Sequence, residues 1–335
     1  MRPYQSQSGP DFPFPETESL KSELQKQETL YPASTYFQYS NLGMSLLGEV
    51  VEKLSGMPYE DYIRTQILDP LDMQDTRTFL PEDQYGTSLA IGYSALDRKG
   101  KRAKVNLFDA RGVTSAAGFS SNVRDMAKFA SWQFRLLDTT AAEILRPSTL
   151  KQMHNVHWTD PDWKNTWGLG FWVVKGENGE KRVGHSGHCP GYATYFSMFP
   201  AIKRAYGVFT NGINTDRAMY IQGMHSLLEK YKNDAKKSGE VDEVPGLDEY
   251  EGYYHMLPWQ SEVYLASWHG KLVLLSLPNE DPAESMVELK YVEKDLFRRI
   301  RTDEKLGETF EFIRDEDGTI EKFKRHNNYF TRINK

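Results

Sequence analysis

Three side chains in the sequence could act on a carbonyl group: Tyr39, Asn41 and His185. A phenol titrates at about pH 10, so Tyr39 could act as a base only where an adjacent cation stabilises its phenolate. The Asn41 carboxamide has both a hydrogen-bond donor and an acceptor, which suits it to orient an amide. The structural alternative is that Asn41 caps a helix, Tyr39 packs in a core and His185 is a solvated residue in a turn.

A helix is predicted directly after Asn41. Apolar residues recur there at a spacing of four, which is one face of a helix, and Gly56 follows where a left-handed cap would lie. A second helical pattern begins at Tyr59 and is stopped by Pro70. A further helix is expected to begin around Ser120-Ser121-Asn122, since these side chains suit an N-cap. The apolar stripe of the first helix consists of Leu42, Leu46, Val50 and Leu54.

His185 is expected near the end of a strand. Residues that favour strands run from Trp167 to Val174, and Glu177-Asn178-Gly179 supplies a hairpin turn before a second strand from Arg182 to Gly187. Two more elements are predicted further on: a strand from Tyr206 to Thr210 and a helix from Asp216 to Tyr231.

The segment around Tyr39 resembles a known enzyme family. From Phe37 to Gly43, and on through Gly56-Met57-Pro58-Tyr59 to Pro70-Leu71-Asp72-Met73, it is similar to the penicillin-recognising serine hydrolases. These are class C β-lactamases, D-alanyl-D-alanine peptidases and related esterases. In that family the tyrosine of Tyr-x-Asn acts on the nucleophile's proton and the asparagine binds the substrate amide. The resemblance implies that Tyr39 is the acid/base and Asn41 the orienting residue.

The segment Gly184-His185-Ser186-Gly187, followed by Cys189-Pro190-Gly191-Tyr192, resembles the family's third motif, with His185 in the place of a lysine. A small residue and a glycine are needed there because substrate lies against this strand as if extending it, while a backbone N–H donates to the developing oxyanion. The resemblance therefore implies that His185 is catalytic and that Ser186 and Gly187 bind substrate. It also implies that Tyr39 and His185 line opposite walls of one cleft.

The family's nucleophile is missing from this sequence. It belongs to Ser-x-x-Lys, which puts serine and lysine on one helical face and precedes Tyr-x-Asn. Nothing before Tyr39 matches this motif. The one Ser-x-x-Lys, at Ser148 and Lys151, comes after Tyr39 and follows Pro147, and Ser148 also suits an N-cap. The sequence contains no Gly-x-Ser-x-Gly elbow either, so the chain is predicted to be nearly inactive.

Metal binding is the alternative role that we considered for the histidines. His154 and His157 are three positions apart, as are His185 and His188. A catalytic zinc site needs three protein ligands, and no carboxylate flanks either pair at a convincing spacing. We therefore predict neither a metal nor another cofactor.

The amino-acid composition limits the kinds of molecule that the chain is expected to bind. The 335 residues carry 41 Lys and Arg against 47 Asp and Glu, a net charge of −6, and the charges are interspersed. Nucleic acid is therefore not an expected partner, and no apolar run is long enough to span a membrane. The single cysteine, Cys189, excludes an intrachain disulfide. The start of the sequence lacks the apolar core of a secretory signal, whereas the resemblance implies the cell envelope or another extracytoplasmic location.

The length and a change in composition predict two domains. Residues 1–232 would form the hydrolase domain, N-terminally incomplete, with an antiparallel sheet flanked by helices in an α+β fold. Residues 233–246 are expected to be a solvated linker. Residues 247–335 would form a small antiparallel barrel or sandwich. Its strand-like runs are Val263 to Ala266, Leu272 to Leu277, Phe310 to Ile313 and Tyr329 to Ile333.

Two functions fit these observations. The first is a β-lactamase-related serine hydrolase that acts through an acyl-enzyme on an ester, a β-lactam or a D-amino-acid peptide. The second is a non-catalytic protein that keeps the cleft around Asn41 and His185 to bind a peptide or a cell-wall fragment. Both take a small molecule or a peptide as partner. Since the resembled fold has a further helix and strands before Tyr39, exposed apolar surface and an unpaired sheet edge are also predicted.

Overall fold

A computed structural model describes residues 14–26, 28, 31–32, 34–160, 162–176, 179–237, 244, 246–259 and 261–333. The chain divides into two compact units, residues 1–221 and 222–335. The division falls within helix α7, Arg217–Lys237, which continues into the first residues of the predicted linker. Three predicted features lie outside the described residues: the N-terminal start, the turn residues Glu177 and Asn178, and residues 238–243 and 245 of the linker.

The first unit combines helices with one antiparallel sheet, which confirms the predicted α+β fold. Short 3₁₀ turns occupy Glu82–Gln84, Arg111–Val113 and Pro200–Ile202, and a π-helical turn occupies Arg64–Leu68. No helix among the described residues is both long enough and apolar enough to cross a bilayer. The helices before α7 are α1 Thr17–Leu24, α2 Asn41–Ser55, α3 Tyr59–Ile63, α4 Thr114–Ala117, α5 Val123–Asp138 and α6 Pro147–Met153.

The sheet is a six-stranded meander in which each strand pairs antiparallel with the next. Strands β1 and β6 lie at its two edges. The sheet is covered by α5, whose Ala130 and Phe134 pack against Val173, Val183 and Met198. Its strands are β1 Trp158–Thr159, β2 Thr166–Trp167, β3 Trp172–Lys175, β4 Lys181–Cys189, β5 Tyr192–Phe199 and β6 Arg204–Thr210.

Two strand predictions need correction. The run from Trp167 to Val174 is two strands, because Gly170 adopts a positive φ of 77° and turns the chain so that Trp167 pairs with Trp172. Strand β4 also continues to Cys189, so His185 lies in the middle of the strand rather than near its end. The turn comes only after Cys189, at Gly191, where φ is 83°.

Helix α2 is capped as the sequence indicates, but by a different residue. The Ser40 hydroxyl accepts a hydrogen bond from the Gly43 N–H at 2.9 Å, so Ser40, not Asn41, is the N-cap. Gly56 ends the helix in the left-handed conformation with φ of 69°. Of the three candidates in Ser120-Ser121-Asn122, Asn122 is the one that caps α5, and it accepts from two backbone N–H groups.

Most of the apolar stripe of α2 does not form core, although Leu42 packs against a core cluster. The helix instead buries a small-residue face, Ser45 and Gly48, and Ser115 of α4 donates to the Met44 and Ser45 carbonyls. Of the stripe, Leu54 is 83% exposed and Val50 is 48% exposed. Exposed apolar surface is thus present where the sequence pattern alone would predict a core.

The second unit is an eight-stranded antiparallel barrel, closed by pairing of its last strand with its first. The barrel is filled by side chains, since Tyr254, Phe297, Phe310 and Phe323 are fully buried. A 3₁₀ turn, Leu247–Tyr250, precedes it and a short helix, α8 Pro282–Ser285, interrupts it. The strands are β7 Gly252–Met256, β8 Ser261–Trp268, β9 Lys271–Leu277, β10 Val287–Glu293, β11 Leu296–Ile300, β12 Leu306–Arg314, β13 Ile320–Arg325 and β14 Asn328–Ile333.

Candidate functional site

The fold brings Tyr39 and His185 together. Their ring centroids are 6.0 Å apart with 36° between the ring planes, which is the spacing of paired aromatic rings. Tyr39 lies in the extended segment that leads into α2, and His185 lies in the centre of β4. A third ring, Trp167 of β2, lies 5.7 Å from Tyr39 and 6.1 Å from His185. The three rings therefore form one cluster.

The Tyr39 phenol is in its protonated form near neutral pH. Burial, and secondly the neighbouring Cys189, raise the pKa of Tyr39 above the ordinary value for tyrosine. The ring is nevertheless 53% exposed, so a ligand can reach it. At pH 7 Tyr39 is therefore a hydrogen-bond donor rather than a base.

Asn41 is exposed at the first turn of α2. Because Ser40 caps the helix, the Asn41 side chain is not used for that purpose. No partner among the described residues forms a hydrogen bond with its carboxamide, so both its donor and its acceptor are available to a ligand. The structural alternative for Asn41, a helix cap, is therefore wrong.

The tautomer of His185 follows from its contact with the backbone. Its Nδ1 lies 2.6 Å from the Ser186 carbonyl oxygen, which can only accept, so Nδ1 carries the hydrogen. In the neutral ring, Nε2 then presents a lone pair. His185 can thus accept a proton or a hydrogen bond at Nε2, next to the phenol that can donate one.

Ser186 and Gly187 follow His185 on β4. Ser186 is exposed and lies opposite Tyr195 of β5, and Gly187 lies opposite Thr194. A Cβ at Gly187 would lie 2.5 Å from the Thr194 Oγ1. The absence of a side chain at Gly187 is therefore explained by close packing within the sheet, and the predicted role of both residues in substrate binding stays a prediction.

Cys189 ends β4 beside this cluster. Burial raises the pKa of its thiol to about 11, and its Sγ lies 3.6 Å from the Ala117 carbonyl oxygen. A nucleophilic cysteine needs a lowered pKa, since the thiolate is the reactive form. Cys189 is therefore a packing residue rather than a substitute for the missing serine.

Sequence reasoning missed the aromatic residues beside the site. Phe37 stacks on Trp167 at 5.2 Å and on Trp158 at 6.2 Å. The two tryptophans belong to β1 and β2, which form a hairpin too short to stand out as strands. The available signal was the recurrence of tryptophan at positions 158, 163 and 167.

The other candidates lie in structural positions. Ser148 was predicted to suit an N-cap, and this prediction is wrong. Arg146 occupies the N-cap position and Pro147 begins α6. His154 is 1% exposed and its Nε2 lies 2.8 Å from the Gln133 Oε1, whereas His157 bonds to the Gln152 carbonyl. Within the described ranges, no three histidine, cysteine or carboxylate side chains are grouped to hold a metal.

Comparison with known proteins gives the family. The model of a family described as Beta-lactamase matches residues 1–225. Penicillin-binding protein 4 of Amycolatopsis lactamdurans is 23% identical over 191 residues, which cover 54% of this chain and 49% of that protein. Penicillin-binding protein 4* of Bacillus subtilis (strain 168) is 46% identical over 43 residues, 13% of this chain and 10% of that protein. The matched part of the chain thus spans half or less of the length of these curated relatives.

Solved structures show the same fold. The octameric penicillin-binding protein homologue from Pyrococcus abyssi has a TM-score of 0.55 at 23% identity. The match covers 94% of this chain and 69% of the homologue's chain. SurE has a TM-score of 0.51 at 20% identity, and the match covers 99% of this chain and 75% of the SurE chain. The family match spans the whole of the first unit and includes every residue of the Tyr39 and His185 cluster. The chain therefore belongs to the beta-lactamase family of serine hydrolases.

Proposed function

We propose that the surface around Tyr39 and His185 binds the reacting carbonyl of an ester, a β-lactam or a D-amino-acid peptide. The observation that carries this proposal is the 6.0 Å approach of the two rings, from segments far apart in the sequence. The Asn41 carboxamide, which forms no hydrogen bond within the part of the chain that the structure describes, lies two residues from Tyr39 in the sequence. A donor, an acceptor and an amide-orienting group are thus available together, as acyl transfer requires.

The two ring side chains would have complementary roles. The protonated phenol of Tyr39 can donate to the leaving group, because its pKa is raised. The Nε2 of His185 can accept a proton, because Nδ1 is held by the Ser186 carbonyl. The rings are in contact, so a substrate would lie along their shared edge rather than between them.

We further propose that this chain turns such substrates over only slowly. No Ser-x-x-Lys precedes Tyr39, and the buried Cys189 thiol does not replace it. In a serine protease, loss of a nucleophile that works as a unit with its base costs about a millionfold in rate. The remaining groups would bind and polarise a carbonyl without forming an acyl-enzyme.

The same residues support the second candidate, a non-catalytic protein that binds a peptide or a cell-wall fragment. The availability of the Asn41 carboxamide favours it, since amide recognition needs no nucleophile. The family relationship supports action at the cell envelope or elsewhere outside the cytoplasm for either candidate. The two differ only in whether bound ligand is ever turned over.

Calorimetric titration with a D-alanyl-D-alanine peptide and with a penicillin tests the site. Saturable binding should weaken at least about tenfold in Asn41→Leu and in His185→Ala, which corresponds to about 1.4 kcal/mol. His157→Ala is the matched control, because His157 is exposed and belongs to no part of the cluster. Unchanged affinity in both site variants would overturn the proposal, and measurable product release would decide between the two candidates.

A further inference from the structure

The hairpin of β1 and β2 brings a row of aromatic rings up to the candidate site. Trp158 stacks on Phe37 with 26° between the ring planes, and Phe37 stacks on Trp167 with 17°. Trp167 then contacts both Tyr39 and His185. We call Phe37, Trp158 and Trp167 the aromatic platform. It extends without interruption from the sheet edge to the two groups that would face the carbonyl.

The platform is accessible to a ligand. Phe37, Trp158 and Trp167 are all half-buried, so part of each ring meets solvent. Trp163, in the loop of the same hairpin, is 81% exposed. Trp163 lies outside the platform, and the partly exposed, mutually packed rings of the platform itself are typical of a binding surface.

The charge of the hairpin disfavours an acidic ligand. Lys164 is its one cation, and its ammonium pairs with the Asp162 carboxylate at 3.2 Å. Asp160 adds a further negative charge. A carboxylate side chain would therefore find no free cation on the hairpin, whereas an aromatic or apolar side chain can pack on the exposed rings without desolvating a charge.

The position of Trp167 determines which part of a ligand would contact the aromatic platform. Since Trp167 touches both Tyr39 and His185, a group packed on Trp167 is only a few bonds from the carbonyl that those residues would bind. We propose that Trp167, supported by Phe37 and Trp158, selects acyl donors with an aromatic or large apolar side chain next to the reacting carbonyl. This inference rests on the proposed function, because it names the substrate class of the same site.

The test compares three matched ligands by calorimetry at pH 7: the amides of N-acetyl-D-phenylalanine, N-acetyl-D-alanine and N-acetyl-D-glutamic acid. The phenylalanine amide should bind about tenfold more tightly than the alanine amide, and the glutamic acid derivative should bind most weakly. The preference should fall to about twofold or less in Trp167→Leu, which keeps apolar volume but removes the ring. Trp167→Phe should retain most of it.

Trp163→Ala is the control for removal of an indole from the same hairpin, and it should leave the preference unchanged. Circular dichroism and urea unfolding of each variant separate lost selectivity from lost structure. If the three amides bind equally and His185→Ala still weakens binding, the selectivity proposal is overturned while the proposed site stands. If no amide binds, or if binding responds to neither Trp167 nor His185, both are overturned.

Discussion

The ring of Tyr39 lies 6.0 Å from the ring of His185, and Trp167 contacts both. This relationship joins the two motifs that the sequence offered separately. It also changes their expected arrangement, since rings this close share a surface and leave no room for an acyl group between them. Access is then along the exposed edge of the cluster, where the Tyr39 ring is 53% exposed.

The first prediction concerns the ionisation of Tyr39. Because its pKa is raised above about 10, the phenolate absorbance of Tyr39 should appear with a midpoint above pH 10. The difference between the ultraviolet titrations of the wild-type protein and Tyr39→Phe isolates this one residue. A component of that difference titrating below pH 9 would mean that a cation stabilises the phenolate, and the proposed donor role would be wrong.

A second prediction concerns acid stability. Burial, and secondly Lys181, lower the pKa of His154 to about 4, so the folded first unit holds this ring neutral. Its contribution to stability is complete above the unfolded pKa of about 6.5 and is lost as the pH falls toward 4. Between pH 7 and pH 5 the free energy of unfolding should drop by about 1 to 2 kcal/mol from this residue.

Urea unfolding of wild-type protein and His154→Gln at both pH values measures this contribution. The variant removes the titrating group, so its stability should depend less on pH than that of the wild type. His157→Gln is the control, because His157 is exposed. An identical pH dependence in wild type and His154→Gln would rule out His154 as a source of acid sensitivity.

The third prediction tests why residue 187 is glycine. Gly187→Ala should destabilise the first unit by about 1 to 3 kcal/mol, because the new Cβ would lie 2.5 Å from the Thr194 Oγ1. The double variant with Thr194→Ala should recover part of the loss. Gly223→Ala in α7 is the control, since its Cβ would meet nothing within 4 Å, and it should be neutral or stabilising. Additive effects of the Gly187 and Thr194 changes would exclude the contact as the cause.

A fourth prediction concerns the exposed apolar face of α2. Leu47 is 56% exposed and Leu54 is 83% exposed, so replacing both with glutamine should cost less than about 0.5 kcal/mol of stability. The same double variant should bind less of a fluorescent apolar dye and aggregate less. If the wild-type protein binds no dye, or if the variant unfolds, this face is covered in solution.

Short-range signals in the sequence placed the helices well. The start of α2 could be predicted because polar residues precede an apolar period of four, and the start of α5 could be placed within Ser120-Ser121-Asn122 for the same reason. The closed barrel was one of two predicted arrangements for residues 247–335, since alternation identifies strands without fixing how their edges pair.

The packing of α2 and the position of Trp167 could not be predicted from local sequence pattern. The stripe of α2 has the period of a core face, yet the helix packs through Ser45 and Gly48, because close approach of Ser115 requires small residues there. The place of Trp167 beside Tyr39 depends on a two-residue strand and on pairing with Trp172. Such contacts are set by the fold and leave no periodic trace in the sequence.

The proposed function is that Tyr39 and His185 bind a carbonyl group and that this chain turns it over only slowly. Stopped-flow measurement of chromogenic ester hydrolysis by the wild-type protein, Tyr39→Phe and His185→Ala tests it most directly. The account predicts no burst of released chromophore in any of the three, and only a slow linear rate. A burst stoichiometric with the wild-type protein and abolished in Tyr39→Phe would contradict it, because it would show that the chain forms an acyl-enzyme.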